Sequence, residues 1–418
     1  MMLANYIRRG NEPEAETSWG GAIVKQTADV VVIGGGVIGA STAFHLAERG
    51  MTRVILLERS ALGGGATGKS GAVVRMHYTN PYDAALAQQS LPYFQRWSER
   101  VGFGDPRFVE TGVVRLVAPR HESQLRANVE MLRGVGVNTC LISPDDLRAI
   151  DPGCRVDDIT CAAYEPESGY ADPAATTFGF AARAKDLGVE IQIGVAATAI
   201  ETEGTRITGV VTREGTVATD TVVVAAGAWS AALLAPLGLD YGLEPNRVQV
   251  VIVRRPAGAE ATHPTYIDGP NNIWLRPEGE MTSLAGVGRD QLGADPDFFN
   301  QSVDFDYIAD VQRRIAARRT SLSQAIMRGG WAGVITMSQD GHAIIDELAP
   351  YRRLYGALGD SGTNFKTAPA IGKCLAESVV TGEACPAELE PFRSGRFDDG
   401  GSLTGQHEYG DRPLDVFR

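Results

Sequence analysis

Asp29-Val30-Val31-Val32-Ile33-Gly34-Gly35-Gly36-Val37-Ile38-Gly39 is the stretch that decides the fold. The run from Asp29 to Ile33 reads as a strand buried on both faces, because it offers no polar alternation. Ala40 to Arg49 then reads as a helix that Gly50 ends. Between them lie four glycines, three of them spaced G-x-G-x-x-G. Gly34 permits the tight turn, Gly36 lets backbone approach a pyrophosphate, and Gly39 lets the helix lie close to the strand. The helix N-terminus faces the phosphates. Arg53 to Leu57 is the next strand. Glu58 ends it, where a carboxylate suits a ribose 2′-hydroxyl and repels a 2′-phosphate. A plain glycine-rich turn would lack that acid.

Outward from this βαβ unit, Gly63 to Arg75 is rich in Gly, Ser and Thr. Such a loop can wrap a second cofactor arm with backbone N–H groups; the alternative is a flexible surface loop. Later segments do not repeat the βαβ pattern. Phe108 to Ala118 alternates like a single antiparallel strand, and residues 244–289 are strand-rich. Leu354 to Leu358 is another strand, followed by a glycine-rich turn and a helix through Val380. Val311 to Arg319 is a helix, and Arg313, Arg314, Arg318, Arg319 and Arg328 read as a solvated basic face. The pattern is an α/β core with α+β insertions: a Rossmann-like domain interrupted by an antiparallel-sheet domain.

Composition narrows the function. Lys and Arg number 39 against 51 Asp and Glu, a net charge of −12, whereas a general nucleic-acid binder needs a basic excess. Glycine makes up 49 of 418 residues, well above the usual ~7%, so tight turns and close approaches recur. Cys140, Cys154, Cys161, Cys374 and Cys385 form no C-x-x-C pair, which gives no metal site and suggests free thiols in a reducing, cytoplasmic setting. The N-terminal stretch lacks the apolar run of a signal peptide. Thr221 to Leu239 lacks charges but reads as a strand and short helix, so no membrane partner is expected.

Four blocks, in order and spacing over residues 29–385, carry a resemblance. They are the fingerprint with Glu58; Thr67-Gly68-Lys69-Ser70-Gly71 leading to Arg75; Val222-Val223-Val224-Ala225-Ala226-Gly227-Ala228-Trp229; and Gly359-Asp360-Ser361-Gly362-Thr363-Asn364-Phe365-Lys366, followed by Ala368-Pro369-Ala370-Ile371-Gly372. The sequence resembles the FAD-dependent amine and amino-acid oxidoreductases of the D-amino-acid oxidase and sarcosine oxidase (glycine oxidase-like) type. The resemblance implies an FAD-binding domain at 29–90, 150–242 and 331–391 and a substrate domain at 91–149 and 243–330; by their own composition residues 1–28 read as a loose polar leader and residues 392–418 as a polar, meandering tail.

It also implies site residues. Cofactor-binding positions are Gly34, Gly36, Val37, Gly39, Glu58, Arg59, Thr67, Gly68, Lys69, Ser70, Gly71, Ala72, Ala197, Ala226, Gly227, Gly359, Ser361, Gly362, Thr363, Asn364, Phe365 and Lys366. The Ser361–Phe365 turn supplies backbone donors to the flavin N1/O2 edge, and the helix after it stabilises negative charge there. Asn364 stands where the family often has Gly, and Ala197 where it often has Val. Gly333 falls at the position of a tethering Cys and the Thr67 loop has no His, so FAD is expected to be non-covalent.

Arg75 and Lys366 occupy the positions that hold a substrate carboxylate, a bidentate fork beside a point charge. The alternative is an Arg75 ion pair and a solvated Lys366. Trp274 and Arg276 belong to the substrate-side wall; Arg276 is a candidate for a second acidic group, and Trp274 for stacking or for core packing. His77 is a candidate proton acceptor or pocket wall, and His342 a weaker one. The implied reaction oxidises the C–N bond of an amino acid or N-substituted amino acid by hydride transfer to flavin N5, giving an imine. Leu284 at the position of an oxygen-activating lysine leaves oxygen or an electron carrier as acceptor. Two alternatives stand beside this: an NAD-dependent Rossmann dehydrogenase, which explains only Gly34 to Glu58, and a flavin-binding subunit without turnover.

Overall fold

The computed structural model describes residues 26–410 apart from 258–261, 290, 384–385 and 399. Two large sheets organise it. The first has six strands in the order Ile344–Glu347, Leu354–Leu358, Val222–Val224, Val30–Ile33, Val54–Glu58 and Glu190–Ile193. All pair in parallel except Ile344–Glu347, which is antiparallel to its neighbour. Val30 and Val32 face a helical layer containing Phe44, Phe180 and Ile371. Val31 and Ile33 face Ile200, Ile207 and Val210 of a small antiparallel sheet. Double-sided burial is why this strand carries no alternation.

The second sheet has eight strands: Ile326–Met337, Glu244–Arg254, Thr282–Val287, Ile273–Glu278, Thr265–Asp268, Val113–Leu116, Ala162–Glu165 and Cys140–Ile142. One face carries Val251, Val253, Leu275 and Ala285 against Tyr307, Val311 and Ile315 of the helix Phe305–Arg318. The opposite face carries Val113, Ile267 and Trp274, which meet Val73 of the glycine-rich loop. The architecture is the expected one, a Rossmann-like α/β domain with an antiparallel-rich second domain.

Several details differ from the sequence reading. Ala162–Glu165 and most of Ile326–Met337 lie in segments assigned to the cofactor domain, yet they hydrogen-bond into the eight-stranded sheet. Strand composition alone does not reveal which sheet a strand joins. Phe108–Ala118 is not one strand. Gly112, at φ +69°, splits it into Val109–Glu110 and Val113–Leu116 in different sheets. Residues 1–25 of the expected leader lie outside the described residues, but Gln26 and Ala28 bond to Ala218 and belong to the fold.

The basic helix face is also revised. Arg318 is buried between Asp268 (2.6 Å) and Asp158 (2.8 Å), and Arg319 is buried against Asp151. Arg318 ties the end of its helix to the sheet, and Arg319 ties it to the end of the helix Pro144–Ile150, since a guanidinium withdrawn from water needs paired carboxylates. The described part of the tail is not a loose meander either. Phe392 is fully buried, and Arg396 forms a buried ion pair with Asp340 (2.8 Å).

Candidate active site

The candidate cofactor cradle is made mostly of backbone. Gly34 sits at φ +109°, and a Cβ there would lie 2.3 Å from the carbonyl oxygen of Ala225. A Cβ on Gly39 would lie 1.9 Å from the Gly34 oxygen. Side chains are excluded at both positions by packing. Gly36 caps the helix Val37–Glu48 with no side chain to accept its first N–H groups, which leaves them open to an anion. Val37 N–H is the exception, donating to Thr67 Oγ1 (3.2 Å).

Glu58 is buried, and its carboxylate accepts from Gly35 N–H (2.8 Å) and Ser60 N–H (2.7 Å). Arg59 turns away to Asp297 (2.7 Å) and lies over the Trp229 ring. The Thr67–Lys69 turn is held by Gly68 N–H to the Gly63 oxygen (2.7 Å) and by Trp331 Nε1, which donates to the Lys69 oxygen (2.8 Å). Ser70 Oγ accepts from Ala72 N–H (2.9 Å). Ala226, Gly227 and Ala197 lie beside this cradle: Ala225 N–H bonds to Ile33, and Ala197 and Ala226 pack on the core behind it.

In the fourth block, Gly359, Ser361 and Gly362 take positive φ and Asn364 does not. Asn can therefore replace Gly at 364 without backbone strain. Thr363 supplies its carbonyl oxygen to Lys366 Nζ (2.7 Å) and Tyr78 OH (3.2 Å). The Phe365 ring turns inward against Phe94. The helix Ala368–Thr381 follows.

Here the two cations meet. Arg75 and Lys366 are both buried; the Arg75 guanidinium lies 4.7 Å and Lys366 Nζ 5.1 Å from the centre of the Tyr78 ring. Lys366 forms no ion pair among the described residues. Burial, and then the Arg75 charge, push its pKa well below the usual lysine range; Asp83 and Glu165 pull the other way. Arg75 also donates to the His77 carbonyl oxygen.

The remaining candidates divide. Trp274 seats its indole against glycines: a Cβ on Gly71 would lie 2.6 Å from the ring and one on Gly286 2.4 Å from Nε1. Arg276 does not reach into open space. It donates to the Gly71 and Pro277 oxygens and pairs with Glu278. It ties the sheet to the cofactor loop, and its charge is already answered. His342 is buried on Asp83 (2.8 Å). His77 is buried with Nε2 on Tyr409 OH (2.7 Å), and burial together with Arg115 and Arg75 holds its pKa well below the usual value.

Sequence reasoning missed three neighbours. Glu165 accepts from Met76 N–H (3.0 Å) and Ser168 (2.7 Å), and burial raises its pKa. Arg115 is a buried cation inside the strand Val113–Leu116. A charge at the Val113 phase of an apolar strand was a usable signal. Tyr409 comes from the tail, where nothing but its being aromatic marked it.

The family profile described as FAD dependent oxidoreductase matches residues 29–378. The chain belongs to that family. It is 26% identical over 409 residues to sarcosine oxidase subunit beta of an Arthrobacter species, covering 94% of this chain and 98% of that one. Among solved structures, L-proline dehydrogenase from P. horikoshii superposes with a TM-score of 0.84 at 26% identity, covering 91% and 100%. Glycine oxidase from Bacillus cereus gives 0.73 at 25%, covering 85% and 96%. The protein is an FAD-dependent oxidoreductase, and the nicotinamide alternative falls with that assignment. Its glycine turns and Glu58 are of the kind a dinucleotide requires. No helix among the described residues is long and apolar enough to cross a membrane.

Proposed function

We propose that this enzyme oxidises the C–N bond of an amino acid or N-substituted amino acid. The observation that carries the reading is a buried lysine that forms no ion pair among the described residues and lies, with a buried arginine, close to one tyrosine ring. Burying an ammonium is costly unless an anion compensates it. A substrate carboxylate supplies that compensation and is held by a fork and a point charge together. The relatives named above for sarcosine, L-proline and glycine agree with such a substrate.

When bound, FAD supplies the acceptor for a hydride from the carbon next to nitrogen, leaving an imine. The chain does the rest. Gly34, Gly36, Gly39, Glu58 and the Thr67–Ala72 turn hold the cofactor. Arg75 and Lys366 orient the acid group, and burial around Tyr78 and Trp274 excludes water. Positioning of this kind lowers a barrier without a dedicated base. We infer non-covalent attachment as well, because a Cβ at Gly333 would lie 2.5 Å from Lys69 Cβ, which fills the space a tethering side chain needs. Electrons leave to oxygen or a carrier; Leu284, paired with Arg276 on the buried face of its strand, offers no cation for oxygen.

Anaerobic mixing with amino acids, N-methyl amino acids and cyclic imino acids tests the reading. Bleaching of the flavin by at least one of them is expected. Bleaching by simple amines alone would refute it.

A further inference from the structure

Arg75 and Lys366 differ in one respect that the carboxylate reading does not use. A guanidinium keeps its proton, whereas a buried lysine can release it. Lys366 Nζ is buried, and its one acceptor among the described residues is the neutral carbonyl oxygen of Thr363 (2.7 Å), which Tyr78 OH shares (3.2 Å). The two nearby acids are engaged elsewhere. Asp83 accepts from Asn80 Nδ2 (2.7 Å) and bonds His342 Nδ1 (2.8 Å); Glu165 accepts from Met76 N–H (3.0 Å) and Ser168 Oγ (2.7 Å). Burial, and then the Arg75 charge, therefore favour the neutral amine in the resting site, and Asp83 and Glu165 oppose this only in part. His77 is no substitute as a base, because burial and the charges of Arg115 and Arg75 disfavour its protonated form.

An amino acid brings the complementary problem. It arrives with an ammonium, and a nitrogen bonded to that extra proton has no electron pair with which to form the imine as hydride leaves. The acid and amine groups of an α-amino acid are separated by a single carbon. A side chain that touches the carboxylate therefore lies within hydrogen-bond reach of the nitrogen, the geometry a proton acceptor needs.

We propose that Lys366 takes the ammonium proton of the bound amino acid. The N–H bond of the ammonium breaks, its electron pair stays on the substrate nitrogen, and the proton bonds to the Nζ lone pair. One transfer gives both the neutral amine that can be oxidised and the lysine ammonium that pairs with the carboxylate. The hydride step itself still needs no base. The inference rests on the carboxylate reading above, and its test uses the FAD-loaded full chain.

Acetate has a carboxylate and no ammonium proton to give. Above the resting pKa of Lys366, its binding should draw about one proton per acetate from solvent, read with a pH indicator in weak buffer. Lys366→Arg, which stays charged, should bind acetate without uptake. The second readout is the limiting rate of anaerobic flavin reduction by the amino acid that bleaches the enzyme. In the pH range where acetate takes up a proton, the wild-type rate should change by less than about twofold per unit, because substrate and Lys366 settle the proton between them. In Lys366→Arg the proton must go to solvent, and the rate should rise with pH by up to about tenfold per unit. Lys366→Met removes the acceptor without adding bulk and should give the same two results. Equal pH dependence in wild type and both variants overturns the proposal, as does acetate binding to the wild type without proton uptake at any pH up to about 9. Uptake that Lys366→Arg retains and Glu165→Gln abolishes assigns the proton to Glu165 and overturns it too. A wild type that does not bind acetate overturns the carboxylate reading itself, whereas acetate bound without uptake leaves that reading standing.

Discussion

The two sheets do different work with different parts of the chain. Around the six-stranded sheet, the proposed cofactor cradle rests on backbone: turns at Gly34, Gly36, Gly39 and Gly68, and one carboxylate at Glu58. Around the eight-stranded sheet, the proposed substrate site rests on side chains from distant segments. Arg75, Arg115, Glu165, Lys366 and Tyr409 are each buried or nearly so, and they converge only in the folded chain. A backbone cradle leaves a local signature in sequence, because glycine spacing is itself the geometry. A cluster of distant side chains leaves almost none.

The contrast can be broken at either end. Gly34→Val places a Cβ against the Ala225 oxygen at a φ that valine avoids. It should cost on the order of 5 kcal/mol and abolish both FAD content and folding. Normal yellow protein from this variant would mean that the turn can relax. Arg318→Met attacks the other half alone. It leaves Asp268 buried beside no guanidinium and should lower stability by about 3–4 kcal/mol. Calorimetry should show that loss while the FAD dissociation constant holds; a parallel loss of FAD affinity would mean that the two halves are not separable.

Legibility follows the same line. The strand–glycine–helix unit was readable to within a few residues: the expected strand 29–33 is Val30–Ile33, and the second strand, expected at 53–57, is Val54–Glu58. Arg75 and Lys366 came from motif position rather than from physics, and only the fold brings them to one ring. Arg318 and Arg319 were misread because a run of arginines on a helix looks the same whether water or Asp268 and Asp151 face it. Tyr409 was unreadable because its partner His77 is 332 residues away.

A smaller effect sharpens the cofactor side. Glu58→Ala should weaken FAD binding by about 1–3 kcal/mol, measured by apoprotein titration. An unchanged dissociation constant would reduce Glu58 to an anchor for the Gly35 and Ser60 N–H groups. The mildest effect concerns Lys366 and pH. Its lowered pKa means that the ammonium is lost as pH rises through a value below the ordinary 10.5. Acetate affinity should therefore fall with rising pH, by at most about tenfold per unit. Stability of the ligand-free enzyme should move the other way over that window, because the unfolded chain still binds the proton that folded Lys366 has released. Acetate affinity flat up to pH 10 would mean that Lys366 stays charged or does not touch the ligand.

The central claim is that Arg75 and Lys366 hold a carboxylate. Its most direct test is the rate of anaerobic flavin reduction by the amino acid that bleaches the enzyme, set beside the same molecule without its carboxyl group. Removing either cation should cost about 2–4 kcal/mol in kcat/KM for the acid. The decarboxylated amine should be a very poor substrate for the wild type, and Arg75→Ala or Lys366→Ala should make it little worse. Equal reduction by acid and amine in the wild type would contradict the clamp.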